Sequence, residues 1–467
     1  MRVKYIFFII FLFIVVHGQS QKMPARDVLV SDSLSQISDT EFDPYGNRMC
    51  WQTTNDNSLW ICHLDTITWG LVIPDGKEIQ VDTGLTPLGS TSNAAEWGYD
   101  INGTYLVYNK SILKKKYIAI AAESPNGTWS NFTMLDAAHR INPHASQNPN
   151  DSVMAFHYIS SIIDWKTKYK FIDHPDWERA VWGFIDAHWT QGEQMLTGIN
   201  SFTNQVGLFD PPERKCPTQL TFDYQDVYTK PYMWHAPEHN NARMFFAIAN
   251  GNEMRVFKET YLKSDSFALY MSFPTPSSNP LYTRFASPEP VVYNGQSYAL
   301  FMASSSPNET ECVPAEIWIA KLDSIDPVFT IVSDSSISIR TDPESFPTND
   351  QLLVYYTEVV DSIAPYVVYR VHKCETGILG PGIPTGEKEK SNIPVPDLTV
   401  FPNPFHDRLY LRNSTGNERY RLTDQLGRTI WEGNDLPHHD FHALKQGFYF
   451  LQIQSGRTCR SIPVSKQ

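Results

Sequence analysis

The chain has 467 residues, of which 41% are hydrophobic, and it carries a formal net charge of −13. This acidic balance, without a basic stripe along the sequence, excludes nucleic acid and anionic lipid surfaces as expected partners. Length and apolar content are sufficient for a substantial core in one large domain or two medium ones, beside smaller modules.

The N-terminus has the three-part pattern of a secretory signal. Arg2 and Lys4 precede the apolar run 5–16, which gives way to small and polar residues before Gln21. A run this short cannot span a bilayer core of about 30 Å, so it predicts a cleaved signal rather than an anchor. We therefore interpret residues 1–20 as a signal peptide, and no later stretch predicts a transmembrane helix.

Six cysteines in an exported chain allow disulfide bonds. Cys50 and Cys62 flank the polar turn 54–58 almost symmetrically, which predicts facing strands of one hairpin joined by a Cys50–Cys62 disulfide. The other four are too dispersed for a zinc site, and their pairing stays open because four cysteines allow three connectivities. These four are Cys216, Cys312, Cys374 and Cys459.

Six segments between residues 40 and 356 share one design, in which a polar start and a turn precede an apolar strand. Their equivalent acidic or histidine positions are separated by 55, 48, 94, 51 and 55 residues, and 94 is nearly two units. A degenerate copy near 187–189, with 195–199 as its strand, would fill that gap. The equivalent positions are Glu41, Glu96, His144, Glu238, Glu289 and Glu344.

A repeat of about 50 residues, built from short strands with turn residues between them, is typical of a β-propeller. We predict an all-β propeller of six or seven blades over residues 21–375, with five blades also compatible with the spacing. Residues 42–65 resemble TolB-type propeller repeats, and 233–249 and 287–304 resemble blades of five-bladed glycoside hydrolases such as family 43. These resemblances imply the architecture only, because one fold hosts many functions.

The polar residues that head each copy form the candidate site. The first strand of a propeller blade lines the central channel, so these side chains should converge at one mouth. Carboxylates and imidazoles suit ligand binding, and a glycosidase needs one protonated carboxyl beside an ionised one. The ligand-binding candidates are Glu96, His144, His235 and Glu344, with Glu41 or Asp43 in the first copy, and the catalytic candidates are Glu238, Glu289 and Asp342.

Other interpretations of these residues stay open. The glycoside-hydrolase pattern places an early catalytic Asp and an acid Glu in a fixed blade order, whereas the Ala-Pro-Glu element at 236–238 comes late in this chain. Residues of this type also close turns at the ends of blades. A carboxylate ring could hold a divalent cation, but no calcium-loop spacing predicts one, so we expect no metal and no cofactor.

Tryptophans are crowded into residues 164–190. Together with nearby Asp and His they predict a sugar-stacking or protein-binding insertion, or alternatively an aromatic blade edge packed on the propeller. Trp177 and Trp189 are the candidate ligand contacts of this region.

The C-terminal part of the chain has a different pattern. Residues 376–396 are rich in Gly and Pro and lack an apolar period, which predicts a solvated linker. Residues 397–467 alternate as short strands, which predicts a small Ig-like β-sandwich. Three ordered motifs lie in it, Phe-Pro-Asn-Pro-Phe at 401–405, Asp-Gln-Leu-Gly at 424–427 and Gly-Phe-Tyr-Phe at 447–450.

These motifs resemble the type A C-terminal sorting domain of the Bacteroidota type IX secretion system. The resemblance implies that the type IX machinery is a partner and that the protein passes the periplasm to be secreted or displayed on the outer membrane. The predicted function is a surface propeller that binds a glycan, peptide or protein ligand at the propeller face. The alternatives are a glycan-active hydrolase with carboxylates in the central channel, and a structural component of the envelope.

Overall fold

Almost every regular element in the described residues is a β-strand. The computed structural model describes residues 27–29, 37–64, 78–87, 95–134, 140–160, 167–174, 178–211, 216–307, 313–323, 326–361, 368–380, 399–412, 418–424, 428–455 and 458–467. They belong to two compact units, Met1–Pro381 and Gly382–Gln467. The predicted signal peptide, residues 381–396 of the predicted linker, and Trp177 lie outside the described residues. Within these ranges, no helix has the length and apolarity needed to cross a membrane.

Seven four-stranded antiparallel sheets, all from described residues, make up the first unit, so the prediction of six or seven blades is confirmed at seven. The first strands of neighbouring blades contact each other around the central axis. The closing strand is β1 (Asp27–Leu29), and blades 1 to 3 contain β2 (Ile37–Phe42), β3 (Arg48–Thr53), β4 (Leu59–His63), β5 (Ile79–Asp82); β6 (Glu96–Asp100), β7 (Gly103–Ile112), β8 (Lys115–Glu123), β9 (Trp129–Met134); β10 (Ile141–Ala145), β11 (Ala155–Ile159), β12 (Thr167–Phe171) and β13 (Arg179–Val181).

Blades 4 to 7 follow the same plan. A single 3-10 turn, Pro237–His239, lies between the first two strands of blade 5. The strands are β14 (Phe184–Trp189), β15 (Leu196–Asn200), β16 (Gln205–Phe209), β17 (Thr218–Gln219); β18 (Tyr228–Ala236), β19 (Ala242–Ala249), β20 (Glu253–Glu259), β21 (Phe267–Pro274); β22 (Arg284–Tyr293), β23 (Gln296–Ser304), β24 (Ala315–Lys321), β25 (Val328–Ile331); β26 (Ile339–Pro347), β27 (Gln351–Asp361) and β28 (Val368–Leu379).

The two ends of the first unit close the ring of blades. β1 pairs antiparallel with β28, with Val28 opposite Lys373, so an N-terminal strand is the outermost strand of blade 7. A closed ring leaves no blade interface open to solvent. The last strand runs to Leu379, four residues beyond the predicted propeller end at 375.

The core lies between the blades. In the described residues, one buried apolar cluster occupies each of the seven interfaces between neighbouring blades. β19 shows why, since Met244 and Phe246 point towards blade 6 whereas Phe245 and Ala247 point towards blade 4. Successive side chains of a strand face opposite sides of the sheet, so a strand buried on both faces is apolar throughout.

The predicted Cys50–Cys62 disulfide is wrong. The two cysteines do lie on paired strands, but Cys50 is opposite Ile61 and Met49 is opposite Cys62. This register places the two thiols on opposite faces of the sheet, one packed against blade 2 and the other against blade 7. Burial raises the pKa of the Cys62 thiol to about 12, so this thiol is protonated at neutral pH.

The second unit is a small all-β unit with its own core. β29 (Thr399–Phe401) pairs with β30 (Tyr410–Arg412), and a four-stranded sheet contains β31 (Arg419–Asp424), β32 (Thr429–Gly433), β33 (Gly447–Ser455) and β34 (Thr458–Lys466) in the order β32-β31-β33-β34. Apolar side chains from both sheets form one cluster, which includes Val400, Phe405, Leu409, Leu422, Leu451 and Ile453.

Candidate functional site in the central channel

One backbone irregularity recurs in the innermost strands. Within the described residues, six of the seven innermost strands contain a β-bulge, in which three residues of the inner strand lie opposite two residues of the neighbouring strand. In five of these bulges one residue has a φ between 40° and 55°, a backbone conformation that side chains disfavour. These residues are Asn142, Asp186, Lys230, Ser287 and Asp342.

The bulge determines which side chain faces the channel. The residue at which regular pairing resumes lies in the wall of one cavity of about 400 Å³. The inner strand of blade 2, β6, begins at the equivalent position. The seven residues, one from each blade, are Glu41, Glu96, His144, His188, Tyr232, Glu289 and Glu344, and we call them the channel ring.

Four consecutive blades contribute glutamates to the channel ring. Glu289, Glu344, Glu41 and Glu96 come from blades 6, 7, 1 and 2 respectively, and we call them the acidic arc. Glu344 is only 8% exposed, and its carboxyl makes no hydrogen bond to a described residue. Burial, followed by the negative charges of Glu289 and Glu41, raises the pKa of Glu344 well above its usual value. The Glu344 carboxyl is therefore protonated well above the pH at which an exposed glutamate ionises.

The opposite side of the ring is aromatic and imidazole-rich. His144, His188 and Tyr232 come from blades 3, 4 and 5, and the rings of His188 and Tyr232 stack at 3.7 Å between centroids. Nδ1 of His144 lies 3.0 Å from Oε1 of Glu96, which joins this side of the ring to the acidic arc. Burial lowers the pKa of His188, although Asp186 opposes this shift.

A further imidazole lies behind the ring. His157 in β11 is opposite His144 in the sheet, and the two rings stack at 5.0 Å. His157 is only 3% exposed. Burial, followed by the neighbouring His144 and His188, lowers its pKa well below the usual value, so this imidazole is neutral at neutral pH.

The hairpin loop of blade 4 forms part of the cavity wall and is held by two other blades. Gln191 donates its side-chain amide to the carbonyl oxygen of Pro290 in blade 6 at 3.2 Å, and its backbone N–H to the backbone of blade 5. Oε1 of Glu193 lies 3.2 Å from Nε2 of His235 in blade 5. The Glu193 carboxylate raises the pKa of His235, so this ion pair strengthens as the imidazole is protonated.

Two further side chains of this segment line the cavity. Trp189 donates its indole N–H to the carbonyl oxygen of His144 at 2.9 Å, which fixes the indole plane. Thr190 is 3% exposed, and its buried hydroxyl has no hydrogen-bond partner in the described residues.

Several residues singled out from the sequence meet in this wall. The cavity is lined by Glu96, His144, Trp189, Glu289 and Glu344. Glu41, rather than Asp43, occupies the ring position of blade 1. Asp43 closes the following turn, where its carboxylate accepts hydrogen bonds from the backbone N–H groups of Tyr45 and Gly46, both at 2.9 Å.

Three other candidates have different positions. Glu238 lies in the 3-10 turn after β18, where its carboxylate accepts a hydrogen bond from the backbone N–H of Ser297 at 3.1 Å, so the ring position of blade 5 is Tyr232 instead. His235 holds the blade 4 loop. Asp342 lies in the bulge two residues before Glu344 and lines no part of the cavity.

Sequence reasoning missed Tyr232 and left His188 in a degenerate copy. The sequence did contain a signal for these ring positions. In all five strands that have a left-handed bulge residue, this residue is polar and lies two positions before the channel-ring residue. Among the described residues, no three His, Cys, Asp or Glu side chains are arranged to hold a metal ion.

The sorting motif of the second unit has a structural basis of its own. Phe405 is fully buried, and its backbone N–H donates to the carbonyl oxygen of Ser465 at 2.8 Å. The Asn403 side chain accepts a hydrogen bond from the Ser465 N–H at 2.9 Å. The motif at 401–405 is thus tied to the last strand of the chain.

Several solved structures are similar to this chain at low sequence identity. A prolyl endopeptidase has 10% sequence identity and a TM-score of 0.44, covering 90% of this chain and 55% of its own, so this chain spans about half of that protein. The Trypanosoma rangeli sialidase in complex with the inhibitor DANA has 8% identity and a TM-score of 0.35, covering 73% of this chain and 55% of the sialidase. The subtype N11 neuraminidase-like protein of A/flat-faced bat/Peru/033/2010 (H18N11) has 8% identity and a TM-score of 0.38, and the match covers 76% of this chain and 95% of that protein.

Sequence comparison identifies the family of the second unit. No curated protein matches this chain. Residues 399–462 match the family model described as the secretion system C-terminal sorting domain. The C-terminal unit is therefore a type IX secretion sorting domain, and the protein is secreted or displayed at the cell surface.

Proposed function

We propose that this exported propeller binds an extracellular ligand, namely a glycan, a peptide or a segment of a partner protein, in the cavity lined by the channel ring. The observation that carries the proposal is that each of the seven blades contributes one side chain, at an equivalent position, to the same cavity. In blade 1, turn closure does not account for the ring position, because that role belongs to Asp43, two residues after Glu41.

The chemistry of the wall suits a polar ligand with an apolar face. The cavity volume of about 400 Å³ lies within the usual range for small-molecule sites. The acidic arc offers hydrogen-bond acceptors, and the protonated carboxyl of Glu344 offers a donor. Tyr232 and Trp189 provide aromatic surface against which a sugar ring or an aliphatic chain could pack. The β-ladders hold these groups in place before the ligand arrives.

The proposal is tested with the full mature chain, residues 21–467, on glycan and peptide arrays. A ligand retained by the wild type should bind at least about tenfold more weakly to Glu289→Gln, because a buried hydrogen bond to a charged group is lost. Asp350→Asn removes an exposed carboxylate outside the cavity wall and is the matched control. Equal retention by all three proteins would place binding elsewhere. Stable assembly with envelope proteins and no soluble ligand would favour the structural alternative.

A glycan-active hydrolase is the second candidate, and one observation favours it. A protonated Glu344 beside other carboxylates is the arrangement in which one carboxyl acts as acid and another as base or nucleophile. Release of reducing ends from a bound polysaccharide, lost in both Glu344→Gln and Glu289→Gln, would support hydrolysis. Retention without release supports binding alone.

A further inference from the structure

Resting on the proposed function, we propose that the ligand presents an organic cation, an ammonium or guanidinium group, to the acidic arc. Four glutamates on four consecutive blades face one cavity, and the other three raise the electrostatic cost of ionising Glu344. Burial is the largest factor that opposes ionisation of Glu344. The next factors, in decreasing order, are the charges of Glu289, Glu41, Asp342 and Glu96. A positive group in the cavity would relieve this repulsion.

One buried side chain in the wall lacks a partner that a cation would supply. Glu344 is 8% exposed, and its carboxyl makes no hydrogen bond within the described residues. Buried polar groups in folded proteins nearly always have a hydrogen-bond partner. The Glu344 side chain lines the cavity, so a ligand with several N–H donors could satisfy its carboxyl.

The remaining wall favours a carbon-bearing cation over a bare metal ion. The volume of about 400 Å³ is many times that of a single ion. Tyr232 and Trp189 present aromatic surface, which attracts ammonium and guanidinium groups and also packs against their aliphatic stems. Lysine, arginine and a free peptide N-terminus share this chemistry.

Proton release is the signature that separates this inference from general ligand binding. When a cation enters the arc, the ionised form of Glu344 is stabilised, so the carboxyl loses its proton to solvent. A neutral glycan would leave that proton in place. The number of protons released on binding therefore shows whether the ligand carries a positive charge, and not merely whether the cavity is occupied.

The test is calorimetric titration of the full mature chain at pH 7 in two buffers of different ionisation enthalpy. The probes are the peptide Ala-Ala-Lys-Ala-Ala with blocked termini, the same peptide with an acetylated lysine, its arginine counterpart, and calcium chloride alone. We expect the lysine or arginine peptide to bind at least tenfold more tightly than the acetylated one and to release up to one proton per site. Glu344→Gln should abolish the release, whereas Asp350→Asn should preserve it.

Other results would overturn the inference. Equal affinity for the acetylated peptide, calcium binding without peptide binding, or an array ligand that is neutral and releases no proton would each show that the arc does not recognise an organic cation. In those cases binding in the cavity would still stand. Failure of every probe and every array ligand to bind would instead overturn the proposed function together with the inference.

Discussion

At the scale of single residues, the fold changes the acid–base properties of Glu344. The side chain is an ordinary glutamate in sequence, but the bulge of β26 points it into a cavity already lined by three other glutamates. Burial and like charges both disfavour the ionised form, so its pKa is raised in the folded protein. Folding therefore binds a proton at this site above the pH where the unfolded chain releases it.

Substitution Glu344→Gln should make the propeller more stable at neutral pH. The wild type loses stability as pH rises above about 4.5, the value for the unfolded chain, and this loss continues until the pH reaches the raised folded pKa. The gain of the variant should be near zero at pH 4 and reach up to about 3 kcal/mol at pH 7. Denaturant titrations at both pH values measure it. A gain independent of pH would contradict the assignment.

His157 predicts the opposite pH dependence. Its pKa is lowered by burial and by His144 and His188, so the folded protein keeps it neutral while the unfolded chain takes up a proton below pH 6.5. Stability should therefore fall as pH drops from 7 to 5, by up to about 2 kcal/mol from this residue. His157→Gln should remove that part of the loss, and exposed His174→Gln should not. The same acid sensitivity in all three proteins would exclude His157 as its source.

At the scale of strands, blades can approach closely where a side chain is missing. A Cβ placed on Gly98 of β6 would lie 2.2 Å from Sδ of Met154 and 2.9 Å from Cβ of Ala145 in blade 3. The glycine therefore lets blades 2 and 3 meet tightly beside the channel.

Gly98→Ala should destabilise the propeller by about 1–3 kcal/mol through overpacking. Met154→Ala should also destabilise it, by about 2–5 kcal/mol, through a cavity. In the double variant the new methyl group occupies space left by the methionine, so the two costs should not add, with a coupling of about 0.5–3 kcal/mol. Chemical denaturation of the four proteins gives the cycle. Additive costs would mean that the two residues do not compete for the same space.

Much of the strand organisation was predictable from the sequence because each blade repeats a turn followed by an apolar strand. The wrong predictions come from the register of the strands, because an error of one residue changes which side chain faces the channel or the neighbouring blade. The prediction for blade 5 took Glu238 as the equivalent position, but β18 is nine residues long and carries that glutamate past the channel into the next turn. The Cys50–Cys62 prediction placed the hairpin correctly and the faces wrongly, because a one-residue offset moves a side chain to the other side of a sheet.

The site was less predictable than the fold. Glu96, His144, Glu289 and Glu344 carry recognisable polar types at repeat spacing, so they could be found. Tyr232 could not, since an aromatic residue in an apolar strand looks like core until the bulge that turns it towards the channel is seen. Bulges depend on pairing between strands, which a single strand's pattern does not show.

At the scale of the whole molecule, two compact units carry separate tasks. The first unit closes through β1 and β28 without the second, and the second has its own buried core. Deleting residues 397–467 should leave a folded propeller that stays in the periplasm. Cell fractionation together with limited proteolysis of the fractions measures both. A truncated chain that still reaches the cell surface would contradict the sorting role of the second unit.

Ligand affinity across the channel ring tests most directly whether the cavity is the binding site. Variants with isosteric changes at ring positions are titrated with the best array ligand beside the control Asp350→Asn. The ring variants are Glu41→Gln, Glu96→Gln, Tyr232→Phe, Glu289→Gln and Glu344→Gln. We expect most ring variants to weaken binding by about tenfold or more while their melting temperatures stay at or above that of the wild type, and the control to bind normally. Unchanged affinity across the ring, with ligand still bound, would show that the cavity is not the binding site.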